Sequence, residues 1–146
     1  MIQRTADAAA LLTDIRVVIA EDHDDTRYIV EHVLRHRGAT VISAPTAREA
    51  LSMVPEADII LTDFSMPEHD GVWLLEQVNR HPRPIPVISV SGFAEQHVPR
   101  LAQAPFARKL LKPVDPWRLP GIIVEVLRQS QTRRDADAHA SAPGGQ

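Results

Sequence analysis

Glu21-Asp22, Asp63, Ser91 and Lys112 are the side chains placed to handle a charged ligand. Glu21-Asp22 closes the apolar run Ile15-Arg16-Val17-Val18-Ile19-Ala20, and Asp63 ends the run Ile59-Ile60-Leu61-Thr62 before a turn containing Pro67 and Gly71. Ser91-Gly92 follows Val87-Ile88-Ser89-Val90, and Lys112-Pro113 follows Arg108-Lys109-Leu110-Leu111. Short apolar runs bounded by turn residues read as strands buried on both faces. The carboxyl ends of such strands are where open α/β sheets place their chemistry. If the first and third strands are neighbours where strand order reverses, Glu21, Asp22 and Asp63 meet in one crevice. Clustered carboxylates repel, which raises their pKa values or recruits a cation. The chain has no cysteine, and oxygen ligands alone favour a hard divalent ion, most naturally Mg²⁺. A lysine opposite and a hydroxyl beside the carboxylates supply what a phosphoryl group needs: a neutralising cation and a hydrogen-bond donor.

The segments between these ends must position them. His23-Asp24-Asp25-Thr26 starts a helix that runs to about Arg37, with Ile29, Val30, Val33 and Leu34 on one face and Gly38 as its stop. Thr40 to Ala44 is a second short strand, and Thr46 caps a helix through Met53 that buries Ala47, Ala50, Leu51 and Val54. The helix after Asp63, Val72 to Asn79, buries Val72, Leu74, Leu75 and Val78. Glu95 to Gln103 is a poor helix because Pro99 interrupts it. Asp115-Pro116 starts a last helix carrying Leu119, Ile122, Ile123, Val126 and Leu127. Met1 to Asp14, at most a short helix over Ala8 to Leu12, reads as an N-terminal extension; residues 130–146 lack an apolar period and read as a disordered tail. Five strands alternating with helices predict an α/β fold over residues 15–129, a three-layer domain with a parallel sheet covered on both faces.

Composition narrows the function. The 146 residues suffice for one cored domain, and 44% apolar with 24% charged residues is ordinary for a globular chain. A net charge of −3 provides no global field for nucleic acid or an anionic membrane. No apolar run is long enough for a membrane helix and the start lacks a signal pattern, so a cytoplasmic location is expected.

Taken together, Glu21-Asp22, Asp63 with Met66-Pro67 and Asp70-Gly71, Ser91-Gly92 and Lys112-Pro113 resemble the receiver domain of bacterial two-component response regulators, from Arg16 to about Gln129. The resemblance implies a flavodoxin-like sheet of order 2-1-3-4-5. It implies that Asp63 is the phosphoacceptor, taking a phosphoryl group from a histidine kinase or histidine phosphotransfer protein, with Mg²⁺ as cofactor. Asp22 then resembles a direct metal ligand, Glu21 one acting through water, and the Ser65 backbone carbonyl a further ligand. Lys112 would pair with phosphoryl oxygens, Ser91 would donate to one of them, and the Lys112-Pro113 peptide would be cis. Ser65 and Phe93 would flank the path of a hydrolysing water. The expected role is a stand-alone signalling phosphoprotein that acts by protein–protein contact, with room for a weak homodimer. It is not an enzyme beyond its own phosphorylation and dephosphorylation.

Departures from the family's pattern fall on the face that passes the signal on. Lys109 stands three residues before Lys112, where receivers carry an aromatic side chain, and Pro99 and Pro120-Gly121 interrupt the flanking helices. The rival reading is a receiver-like binding module that works without phosphorylation. A metal-dependent aspartyl phosphohydrolase is disfavoured because Ser65 occupies the position of its usual second aspartate. His32 and His36 have i,i+4 metal-ligand spacing but no third ligand and read as a solvated helix face. His69 reads as an exposed loop residue, and Arg133-Arg134 is balanced by Asp135 and Asp137.

Overall fold

The structure, a computed structural model, describes residues 11–141. Its elements alternate along the chain: β1 Arg16–Ala20, α1 Asp24–His36, β2 Thr40–Ala44, α2 Ala47–Met53, β3 Ile59–Asp63, α3 Gly71–Val78, β4 Val87–Ser91, α4 Pro99–Ala102, β5 Arg108–Leu111 and α5 Leu119–Ser141. Short 3₁₀ turns cover Val54–Glu56, Glu95–His97 and Pro116–Arg118. All neighbouring strands pair in parallel in the order β2-β1-β3-β4-β5. The chain therefore leaves β1 in one direction and β3 in the other, and a crevice opens between the two loops.

The pleat divides the buried side chains between two cores. Val18, Ala20 and Ile60 pack with Ala47, Ala50, Leu74 and Val78 on one side of the sheet. Val17, Ile19, Ile59, Leu61 and Ile88 pack with Val30, Leu34, Leu119 and Ile123 on the other. A period of two carries this alternation past each strand end. Continuing from Ile19, Leu61 and Leu110, it directs Glu21, Asp63 and Lys112 to the α1 and α5 side. One register thus builds half the core and aims the acidic residues and the lysine.

Local sequence explains the helix ends. Thr46 and Asp70 cap α2 and α3 by accepting from Glu49 N and Trp73 N. His23 caps α1 through its ring Nδ1, which accepts from Thr26 N. Gly38 closes α1 at a φ of 98°, a left-handed conformation that favours glycine. Gly71 answers a different need, because a Cβ there would stand 2.7 Å from the Asp63 carbonyl oxygen. The first turn of α3 therefore lies directly against the backbone of the central strand end.

Four features differ from the sequence expectation. Leu12, read there as part of an extension, is fully buried, and its N–H donates to Arg37 O at 2.9 Å. It closes the base of α1 from a turn, Leu11–Asp14, while residues 1–10 lie outside those described. Ile29, expected in the core, is 49% exposed because the buried stripe of α1 runs through Val30, Val33 and Leu34. Pro99 begins α4 rather than interrupting it, and Pro120 falls in the first turn of α5, where its missing N–H costs little. Finally, α5 continues through residues 130–141, where a disordered tail was expected. Alanines at 136, 138 and 140 favour helix, and Gln131 donates to Asp135 at 3.0 Å one turn on. That extension is exposed over residues 131–140, which is why it carries no apolar period.

Candidate functional site

The carboxylates of Glu21, Asp22 and Asp63 converge, with one oxygen of each within 4.8 Å of the others. Glu21 and Asp63 are only 8% and 5% exposed, whereas Asp22 is open to solvent. Burial, followed by the charge of Asp63, pushes the Glu21 carboxyl up to about 7. Burial likewise raises Asp63, against the opposing pull of Lys112. Lys112 Nζ lies 3.1 Å from Asp63 Oδ1. Beyond this ion pair the buried oxygen has no hydrogen-bond partner among the described residues. Burial would lower the lysine, but Asp63 and then Glu21 hold it above its usual value. The ammonium is 42% exposed at its side chain and so faces both the carboxylates and the open crevice.

Backbone contacts fix these groups in place. The Glu21 N–H donates to Ala44 O and extends the β1–β2 ladder by one residue. Glu21 Oε1 accepts from His23 N, and its carbonyl accepts from Arg27 Nη1 at 2.8 Å. Phe64 N donates to Val90 O, and Lys112 N donates to Ser91 O at 2.8 Å. Ser91 is buried at the end of β4, and the Lys112-Pro113 peptide is cis, as the resemblance implied. Ser65 is exposed in the loop two residues after Asp63, and Phe93 is exposed beyond Ser91. The crevice continues into a cleft of about 650 Å³ floored by Ile19, Leu61 and Val90 and bounded by Lys112, Val114 and Leu119.

This arrangement fits a hard divalent cation. The donors are carboxylate oxygens, two of them buried and raised by that burial, and Asp63 Oδ1 has no hydrogen-bond partner among the described residues beyond its ion pair with Lys112. Among the described residues this is the one group of three or more potential metal-ligating side chains. The histidine rivals have other occupations. His32 and His36 belong to an exposed ring ladder running from Tyr28 to Trp117. His69 stacks on Trp73 at 3.9 Å between ring centroids, and Arg48 donates to its Nε2.

Residues 17–124 match the response regulator receiver domain family. The chain belongs to that family. The receiver is 33% identical over 113 residues to an uncharacterized 14.6 kDa protein in the sodA1 3′ region of Leptolyngbya boryana, covering 74% of this chain and 86% of that one. It is 39% identical over 83 residues to the sensor kinase CckA of Brucella abortus, covering 54% of this chain but 9% of the kinase. A CheY-like receiver domain from Methanospirillum hungatei superposes with a TM-score of 0.72 at 27% identity, over 82% of this chain and 98% of that one. Receiver domains serve two-component signalling and interact with histidine kinases, which sets the context of the acidic crevice. Among the described residues no helix is long and apolar enough to cross a membrane.

Two residues between β4 and β5 are not marked by the sequence reading. Arg100 on α4 grips Asp70 through two nitrogens at 3.0 and 3.3 Å and holds its carboxyl below the usual range against burial. Glu95 turns back so that Oε1 accepts from Gly92 N at 2.8 Å. The spacing Gly92-x-x-Glu95 is that of a carboxylate reaching back three residues, a signal the sequence does contain. Arg100 has no such signal, since its partner lies 30 positions away.

Proposed function

We propose that this receiver is a phosphoacceptor that takes a phosphoryl group on Asp63 from a phosphohistidine of a kinase or phosphotransfer protein and signals by protein–protein contact. The observation that carries the reading is the buried Asp63 carboxylate, set between two acidic neighbours and a lysine at 3.1 Å. Nucleophilic attack by an Asp63 oxygen forms the acyl phosphate, and the phosphorus–nitrogen bond to the donor imidazole breaks. Lys112 neutralises charge on the arriving oxygens, and Ser91 donates its hydroxyl to one of them. Glu21, Asp22 and Asp63, with the Ser65 backbone carbonyl, would hold Mg²⁺. Bound there, the ion supplies charge neutralisation for the in-line transfer.

The site is tested by borohydride reduction of the acetyl phosphate-treated protein followed by peptide mapping. Conversion of Asp63 to homoserine is the expected result. Reduction at another carboxylate, or at none, would refute the assignment.

A further inference from the structure

The loop after β4 contains an anion of its own. Ser91 O accepts from Lys112 N on the β5 side. The Ser91-Gly92 peptide is planar and trans, so its N–H points opposite to its carbonyl, toward the β3 side where Asp63 ends the strand. In a continuing parallel ladder Phe64 O would meet that donor, but it accepts from Gly71 N at 2.8 Å instead. The Glu95 carboxylate takes the vacant place at 2.8 Å, and Glu95 N donates back to Gly92 O at 3.1 Å. The fit is close, because a Cβ on Gly92 would meet Glu95 Oε1 at 3.0 Å. Glu95 also adds to the negative field around Lys112, after Asp63 and Glu21.

We infer that Glu95 is a positioning residue that competes internally with the incoming group. Its carboxylate occupies the Gly92 N–H on the Asp63 side of β4 and withdraws when a phosphoryl oxygen takes that donor. The inference rests on Asp63 being the phosphoacceptor. Two negatively charged acceptors cannot share one N–H without repulsion, so phosphoryl binding and the Glu95 contact oppose each other. The consequence is a weaker hold on any tetrahedral anion at Asp63 than the same pocket would show without this carboxylate.

The test measures beryllofluoride affinity at saturating Mg²⁺ for wild type, Glu95→Gln and Glu95→Ala. Glutamine keeps an oxygen acceptor for Gly92 N but removes the charge, and its binding is expected to tighten by about threefold to tenfold. The gap from wild type should shrink as salt is raised, which a merely structural loop cap would not produce. Equal or weaker binding by a folded Glu95→Gln variant would overturn the inference even if Glu95→Ala failed to fold. Wild-type binding without a gain on substitution removes this proposal alone. No binding by any variant removes the phosphoacceptor reading beneath it as well.

Discussion

Glu21 and Asp63 keep ionisable oxygens nearly sealed from water, and this makes the fold sensitive to pH. The Glu21 carboxyl rises from its ordinary 4.5 to about 7, so between those values the folded chain holds a proton that the unfolded chain has released. Stability from this residue is therefore present at low pH and lost as pH climbs through the folded value, by at most about 3 kcal/mol. Asp63 is raised as well and acts in the same direction. Without metal, the melting temperature should fall between about pH 5 and about pH 8, and Mg²⁺ should restore it chiefly at the higher pH. A melting temperature that rises over this range would contradict the burial argument. Glu21→Gln removes one repelling charge and should stabilise the metal-free protein at about pH 8 by about 1–3 kcal/mol while weakening Mg²⁺ binding. Paired urea melts and Mg²⁺ titrations check both effects. These residues were legible in the sequence because each ends an apolar run. Glu95 and Arg100 were not picked out, since their roles depend on a loop folding back and on α4 reaching the Asp70 loop.

At the scale of elements, the fold fixes two contacts that substitutions can probe. The first turn of α3 lies on the carbonyl of Asp63, and a methyl group at Gly71 would stand 2.7 Å from it. Gly71→Ala should cost about 1–3 kcal/mol in denaturant unfolding and should slow phosphorylation by moving the strand end. A neutral result would mean that α3 can shift away freely. The second contact concerns Lys109. Its Nζ donates to Ala102 O at 2.7 Å and caps the C-terminus of a four-residue α4, so the side chain at the family's usual aromatic position is tied to the helix it borders. Lys109→Met should speed amide exchange in α4 while leaving phosphoryl uptake by Asp63 unchanged. In the wild type, phosphorylation should cause only small spectral shifts around Lys109 and α4. Large shifts of the kind an inward-swinging aromatic produces would contradict the clamp. Strands, the cap at Thr46 and the weak fourth helix were readable from period and capping residues, whereas the cap at Asp70 emerged only from the structure. The start of α4 at Pro99 and the exposed run of α5 were not readable either. Glu95 to Gln103 reads as one helix whereas a separate turn precedes Pro99, and a helix without a buried face leaves no apolar period.

For the whole molecule, the sheet order matters more than any single contact. Reversal at β1 brings the ends of β1 and β3 side by side, and the pleat aims Glu21, Asp63 and Lys112 to the same face. Hydrophobic period shows that strands exist but not which strands are neighbours, so the order came from the resemblance to receivers and not from periodicity. Leu12 shows the same limit at the chain's start, since a short Ala-Leu segment ahead of the first strand does not reveal which of its residues closes a core. The central claim is that this sheet presents Asp63 as a metal-dependent phosphoacceptor. It is tested most directly by intact mass after incubation with acetyl phosphate, with and without Mg²⁺, for wild type and Asp63→Asn. The account predicts a single added phosphoryl group that requires both Mg²⁺ and Asp63. No adduct on folded wild-type protein, while a control receiver is phosphorylated, would contradict it and favour a module that docks partners without phosphorylation.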